Sequence, residues 1–185
     1  MTFGFPAAAA IVALCCAAPA GAASGQAQAS ILKQFQERVA GYLKLRESVE
    51  PKSQVLKPTS SPDAIEQHER ELAAEIRQAR ASARPGDLFT PQIAAEFRRL
   101  IRQGMRGPAA ERVRTSIQHA EPVRLALRVN DSYPSNVPLP STPPTLLMKL
   151  PPLPRELDYR VLGHDLVLRD TGANLIVDYM ADAAP

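Results

Sequence analysis

"LDYRVLGHDLVLRDTGANLIVDYM", residues 157–180, decides the fold. Apolar residues alternate with charged ones on both sides of Gly163-His164, which is the pattern of two half-buried strands joined by a tight turn. A glycine first in a two-residue loop suits a type II′ turn. That turn pairs Val161 with Leu166, Tyr159 with Leu168 and Leu157 with Asp170 on one face. On the other face it sets Asp158 against Arg169 and Arg160 against Val167. Apolar residues mostly meet apolar ones, and one pair of opposite charges meets across the strands. A slip of one residue would destroy both matches, so the register is well specified.

Asp170-Thr171-Gly172-Ala173-Asn174 reads as the next turn. A two-residue loop would set Asp165 opposite Asp178, so a four-residue loop is preferred. Leu175, Val177 and Tyr179 are then expected to continue the apolar face. Three antiparallel strands result. The alternation of Val123, Leu125, Leu127 and Val129 with Arg124, Ala126 and Arg128 predicts a fourth. One face should pack on helices, leaving Arg124, Arg128, Asp158, Arg160, Arg169 and Asp178 on a charged outer face.

The helices lie upstream. Ser30 is placed to cap a helix with a stripe of Leu32, Phe35, Val39, Tyr42, Leu43 and Val49, ended by Pro51. A second is expected from Ser61-Pro62-Asp63, with Ile65, His68, Leu72, Ile76 and Ala79 on one face and Arg84-Pro85-Gly86 as its stop. Thr90-Pro91 opens a third, which Phe89 precedes as an apolar staple; Ile93, Phe97, Leu100, Ile101 and Met105 face inward. After Gly107-Pro108 a shorter helix through Val113 and Ile117 runs to about His119. Residues 133–154 hold eight prolines among Leu139, Leu146, Leu147, Met148, Leu150 and Leu153. That stretch is too apolar for a solvated linker and is expected to lie over the core as a strap, with one helical turn near residues 144–149. Helices segregated from strands give an α+β class, N-terminal helices packed on a small C-terminal antiparallel sheet.

The N-terminus reads as a targeting segment. Residues 1–22 carry no charge and end Ala20-Gly21-Ala22, an A-x-A pattern suited to cleavage after Ala22, although MTFGFP lacks the usual Lys or Arg. The apolar run is too short to span a bilayer. Residues 23–29 are expected to form a flexible leader, followed by one domain within residues 23–185: a helical part over 30–119, then strap and sheet over 122–180. Both cysteines, Cys15 and Cys16, lie within the signal segment, so the remainder has no disulfide, thiolate metal site or cysteine nucleophile. Leu14 disfavours lipidation at Cys15. The expected location is periplasmic or secreted.

"LPPLPRELDYRVLGHDLVLRDTGANLIVDYM", residues 150–180, resembles the C-terminal segment of a group of uncharacterised exported bacterial proteins that end in a similar ANLIVD run. The likeness is strongest over residues 120–185. It implies export and fold and carries no catalytic residue.

Charge is unevenly placed. The chain has a net charge of +3, with 16 Lys/Arg against 11 Asp/Glu in residues 30–120 and 6 against 8 in residues 121–185. Five percent aromatic residues without tryptophan, and weak basicity, argue against a nucleic-acid partner. His68-Glu69 begins like a zinc helix, but Leu72 stands where the second histidine is required. His119 and His164 are isolated, and Ser132, His119 and Asp131 have no nucleophile-elbow context. Asp158, Asp165 and Asp178 lack calcium-loop spacing. No catalytic residue, metal or cofactor is therefore assigned. The sharpest charge feature is Arg98, Arg102 and Arg106, at steps of four along one helix, with Arg99 beside them and Glu96 in partial offset. This points to an exported, non-enzymatic protein that binds an envelope protein or an anionic surface. The alternative is a hydrolase-like enzyme whose carboxylates assemble on the C-terminal sheet.

Overall fold

A computed structural model of the chain describes Met1 and residues 20–50, 61–106, 126–133 and 148–183. Among the described residues, three helices precede three strands: α1 (Ala20–Val49), α2 (Pro62–Ala79), α3 (Pro91–Gly104), β1 (Leu157–Leu162), β2 (Asp165–Asp170) and β3 (Leu175–Met180). The strands form one antiparallel sheet in the order β1-β2-β3, so the architecture is α+β.

Several of the expected caps and breakers act, although Ser30 lies in the interior of α1 rather than at its start and Ser61 precedes α2 without a side-chain cap. Helix α1 stops at Val49, before Pro51, and α2 begins on Pro62. The Thr90 hydroxyl accepts from the Ile93 N–H at 3.4 Å, and Phe89 is buried just ahead of it. Helix α1 starts earlier than expected. Residues 23–29 are helical rather than a loose leader, because alanine and glutamine propagate a helix at little cost once a downstream segment has nucleated it. None of residues 24–30 is buried.

Phe35, Val39 and Tyr42 of α1, Leu72, Ala73 and Ile76 of α2, and Ile93, Phe97 and Ile101 of α3 join one core with Leu157, Tyr159, Leu166, Leu168 and Leu175 of the sheet. At its centre Phe35 meets Phe97 edge-on with centroids 4.8 Å apart, and Phe89 meets Phe97 at 5.3 Å. Ile65 and Ala79 are exposed, at the two ends of α2, so its buried stripe is shorter than the apolar repeat suggests. Leu150 and Leu153, from the end of the proline-rich stretch, pack against the same core, and the Tyr159 hydroxyl donates to the Pro151 carbonyl at 3.1 Å. The fourth helix and the rest of the strap, with residue 124, lie outside the described residues.

The first hairpin has the register read from its sequence, including Leu157↔Asp170, Asp158↔Arg169, Tyr159↔Leu168 and Val161↔Leu166. Gly163 has φ +58° and His164 is not among the positive-φ residues, as a type II′ turn requires. The second connection is the four-residue loop, with Asp170 opposite Leu175 and Asn174 in the left-handed region at φ 48°.

The third strand differs in one respect. Its pairing runs Leu166↔Met180, Val167↔Tyr179 and Leu168↔Asp178, then steps to Arg169↔Ile176, leaving Val177 as an extra residue. A bulge of this kind inverts the facing of everything beyond it. Asp178 and Met180 therefore turn toward the helices, and Tyr179 turns to the outer side.

The predicted strand over 123–129 is also displaced. Residues 126–129 are not strand; the chain instead meets β3 a little later, at residues 130–133. There the Asn130 N–H donates to Ile176 O, Ile176 N–H to Asp131 O and Tyr133 N–H to Asn174 O, at 2.8–2.9 Å. This segment brings Tyr133 onto the outer face. With Leu162, Val167 and Ile176, and with half-buried Leu127 and Tyr179, it makes a second small apolar cluster. The outer face is thus partly covered rather than wholly charged and solvated.

Candidate functional site

Two fully buried carboxylates, Asp170 and Asp178, connect the sheet to the helices. A buried carboxylate is tolerable only with its charge met by donors. Asp170 ends β2 on the core-facing side. It accepts from the Tyr42 hydroxyl (2.7 Å), Arg46 Nε (2.9 Å) and the Gly172 and Ala173 N–H groups (2.9 and 2.8 Å). Tyr42 and Arg46 stand four apart on α1, so one helical face delivers both to the acid. Burial, then the negative charge of Asp170, raises the Tyr42 pKa and keeps the phenol a donor.

Among the described residues, the hydrogen bonds to Asp178 come from backbone N–H groups. Its carboxylate accepts from the N–H groups of Gly86 (2.9 Å), Leu88 (2.8 Å), Phe89 (2.8 Å) and Tyr179 (2.8 Å). Three of these amides belong to the α2–α3 connection, where Gly86 at φ +92° bends the chain around the carboxylate. The bulge is the counterpart of this contact: it turns Asp178 inward, and the Val177 carbonyl accepts from Arg80 Nη2 at 3.0 Å.

Arg80 is itself buried. Its Nη1 donates to Asn130 Oδ1 (3.0 Å), Asn130 Nδ2 donates back to the Arg80 carbonyl (2.8 Å), and the guanidinium lies 5.1 Å from the centre of the Tyr42 ring. Desolvation lowers its pKa, an effect opposed by Tyr42, Asp178 and Asp87. Arg77 Nε adds a bond to the Asn130 carbonyl (2.9 Å) and Nη2 one to the Ser132 hydroxyl (2.7 Å). Together these arginines fasten residues 130–132 beside β3.

The expected charged face is smaller than its sequence pattern implied. Asp158, Arg160 and Arg169 do share the outer face. Asp158 pairs with Arg160 beside it and with Arg169 across the strands at 3.2 Å, and Arg169 also lies 5.2 Å from the Tyr133 ring centre. Arg128 is exposed but is not on a strand, and Asp178 is not on this face at all. Asp165 accepts from the Asp182 N–H at 3.0 Å. Asp158 and Asp178 therefore point to opposite sides of the sheet, and the acids named from the sequence do not converge.

The arginine stripe divides in two. Arg98 is half-buried, and its guanidinium donates to the carbonyls of Ala181 (2.8 Å) and Asp182 (3.3 Å), fastening the chain after β3 to α3. Arg102 and Arg106 are exposed, with no acidic partner among the described residues, but α3 ends at Gly104, so Arg106 lies beyond the helix and does not continue the expected stripe. Arg99 pairs with Glu96 through both guanidinium arms. Leu72, in the position a zinc motif needs for histidine, is core; His68 is half-buried on α2, its Nδ1 without a partner among the described residues, and His164 is exposed. Among the described residues there is no group of three or more His, Cys, Asp or Glu placed to hold a metal ion, and no helix long and apolar enough to cross a membrane.

Among the described residues, recesses adjoin α1 on two sides. One, about 150 Å³, is apolar and runs between Phe35, Val39 and Leu43 and the prolines Pro152 and Pro154. The other, about 280 Å³, is polar and lined by Arg46, Glu50, Arg155, Glu156, Thr171 and Gly172.

Sequence reasoning missed Asp170, Tyr42, Arg46 and Arg80 as a connected group. One signal was present: Asp170 falls on the apolar parity of β2, opposite Leu157, where a lone carboxylate needs buried donors. Asp178 gave no such sign, because a single-residue bulge leaves no mark in a period-two pattern. Compared with protein-family models, with curated proteins and with solved structures, the chain matches none.

Proposed function

We propose that this is an exported, non-enzymatic binding protein that presents Arg102 and Arg106 to an anionic component of the cell envelope. The observation that carries the reading is the engagement of the sheet carboxylates. Asp170 and Asp178 each accept four hydrogen bonds, and Asp158 is met by two arginines. General acid–base or nucleophilic chemistry needs a carboxylate free to face a substrate. Arg102 on α3 and Arg106 just beyond its end are exposed guanidinium groups with no acidic partner among the described residues, suited to carboxylate or phosphate.

Export rests on the uncharged segment ending Ala20-Gly21-Ala22 and on the resemblance of the C-terminal run to exported proteins. Helix α1 crosses Ala22, and none of residues 24–30 is buried, so the described core contacts of α1 lie downstream of the cleavage point.

The test is affinity capture from envelope extract with residues 23–185, repeated with Arg102→Glu and Arg106→Glu together. Both side chains are exposed, so the fold should persist, which the melting temperature checks. Loss of the captured component, with binding that weakens as salt rises, is the expected result. Capture that is indifferent to charge reversal would reject these arginines as the site.

A further inference from the structure

The polar recess near the open end of the first hairpin has a charge arrangement independent of the Arg102–Arg106 surface. Four charges ring it in alternating order. Arg46 Nη1 pairs with Glu50 at 3.2 Å, and Arg155 Nε pairs with Glu156 at 2.9 Å. Glu50 lies within electrostatic reach of Arg155, and Arg46 within reach of Glu156, which closes the ring. Thr171 and Gly172 complete the lining of a space of about 280 Å³.

Arg46 is the most enclosed member of the ring. Arg46 is only 12% exposed at its side chain and is held through Nε by buried Asp170, whereas Glu50 is 41% and Arg155 93% exposed. Arg46 Nη2 has no hydrogen-bond partner among the described residues and sits against Gly172; a Cβ there would lie 2.8 Å from it. The absent side chain leaves that nitrogen its place in the wall. Exposed pairs such as Arg155–Glu156 contribute little to stability, so they can exchange partners when a ligand arrives.

We infer that this recess binds a small zwitterion of α-amino-acid size. Its carboxylate is taken by Arg46 Nη2 and Arg155, and its ammonium by Glu50 and Glu156. The alternation selects this class. A simple anion placed beside either arginine also faces a glutamate, and a simple cation beside either glutamate faces an arginine. A ligand with both charges a few ångströms apart satisfies each neighbour.

The experiment follows the backbone amide signals of Thr171 and Gly172 by NMR while glycine is added to residues 23–185, with acetate and methylammonium as single-charge controls. Saturable shifts with glycine, and none with either control, are expected. Arg155→Ala should weaken the apparent affinity at least about tenfold. That side chain is exposed, so the variant keeps the fold. Gly172→Ala, which crowds Arg46, should weaken binding as well. Arg102→Glu with Arg106→Glu should leave it unchanged, which separates this site from the envelope-binding surface. Absence of a saturable shift with glycine overturns the inference, as does acetate alone giving the same isotherm.

Discussion

Replacing Asp178 with alanine probes the contact that joins the bulged strand to the helices. The carboxylate is fully buried and accepts from three amides of the α2–α3 connection. Those of Leu88 and Phe89 are buried, and that of Gly86 is partly so. A buried donor left without an acceptor costs about 1–3 kcal/mol. Two such amides cost about 4 kcal/mol at the middle of that range, before the part-buried one is counted. Arg80 adds to the loss, since Asp178 is among the charges that favour its protonated form in a desolvated setting. Against a typical folding free energy of about 5–15 kcal/mol, this is a large fraction. Asp178→Asn should cost about half as much, because one carbonyl oxygen still accepts while the new amide group faces other donors. The assay is urea denaturation of residues 23–185, with Asp165→Ala as the control. Asp165 is half-buried and accepts a single exposed bond, so its loss should cost less than about 1 kcal/mol. A cost below about 1 kcal/mol for Asp178→Ala would refute the reasoning, since a carboxylate that bears the connection cannot be removed so cheaply.

Three further outcomes are expected. Gly41 lies in the interior of α1, is exposed, and has nothing within 4 Å of the place a Cβ would occupy, so Gly41→Ala should stabilise the protein by about 0.5–1 kcal/mol in the same assay. Burial raises the pKa of Tyr42 and Tyr159, so the folded state keeps protons that the unfolded chain sheds above about pH 10. Their contribution is whole below that pH and declines as pH rises toward the folded values, at about 1.4 kcal/mol per pH unit for each tyrosine, and Tyr42→Phe should flatten the denaturation profile between about pH 9 and pH 11. Intact-mass measurement of the exported protein should give a chain that begins at Ala23; a retained N-terminus in the cytoplasm would contradict the export reading.

Much of the fold is legible in the sequence because its determinants are local. The Gly163 turn, the cross-strand apolar pairs and the Asp158–Arg169 match specify β1 and β2 within a few residues of one another. Thr90 marks a helix start by its hydroxyl, and Pro62 and Pro91 mark theirs by ring chemistry at the position itself. What eluded it depends on distant partners. Asp178 reads as a surface acid until the amides of residues 86–89, some ninety positions upstream, meet its carboxylate. Arg80 carries no local mark of burial, since its acceptors Asn130 and Val177 come from distant segments. The segment at 130–133 falls outside the apolar alternation of 123–129, and its partners on β3, residues 174–176, lie more than forty positions away. The site suffers the same limit: Arg46, Glu50, Arg155 and Glu156 lie on segments more than a hundred residues apart.

The inward turn of Asp178 through a bulge at Val177 is the central structural claim, and cross-strand contacts between β2 and β3 test it most directly. Nuclear Overhauser effects should place Leu168 opposite Asp178 and Arg169 opposite Ile176, with the Leu88 and Phe89 amides protected from hydrogen exchange. A regular ladder, in which Leu168 faces Val177 and Val167 faces Asp178, with those amides exchanging freely, would contradict it.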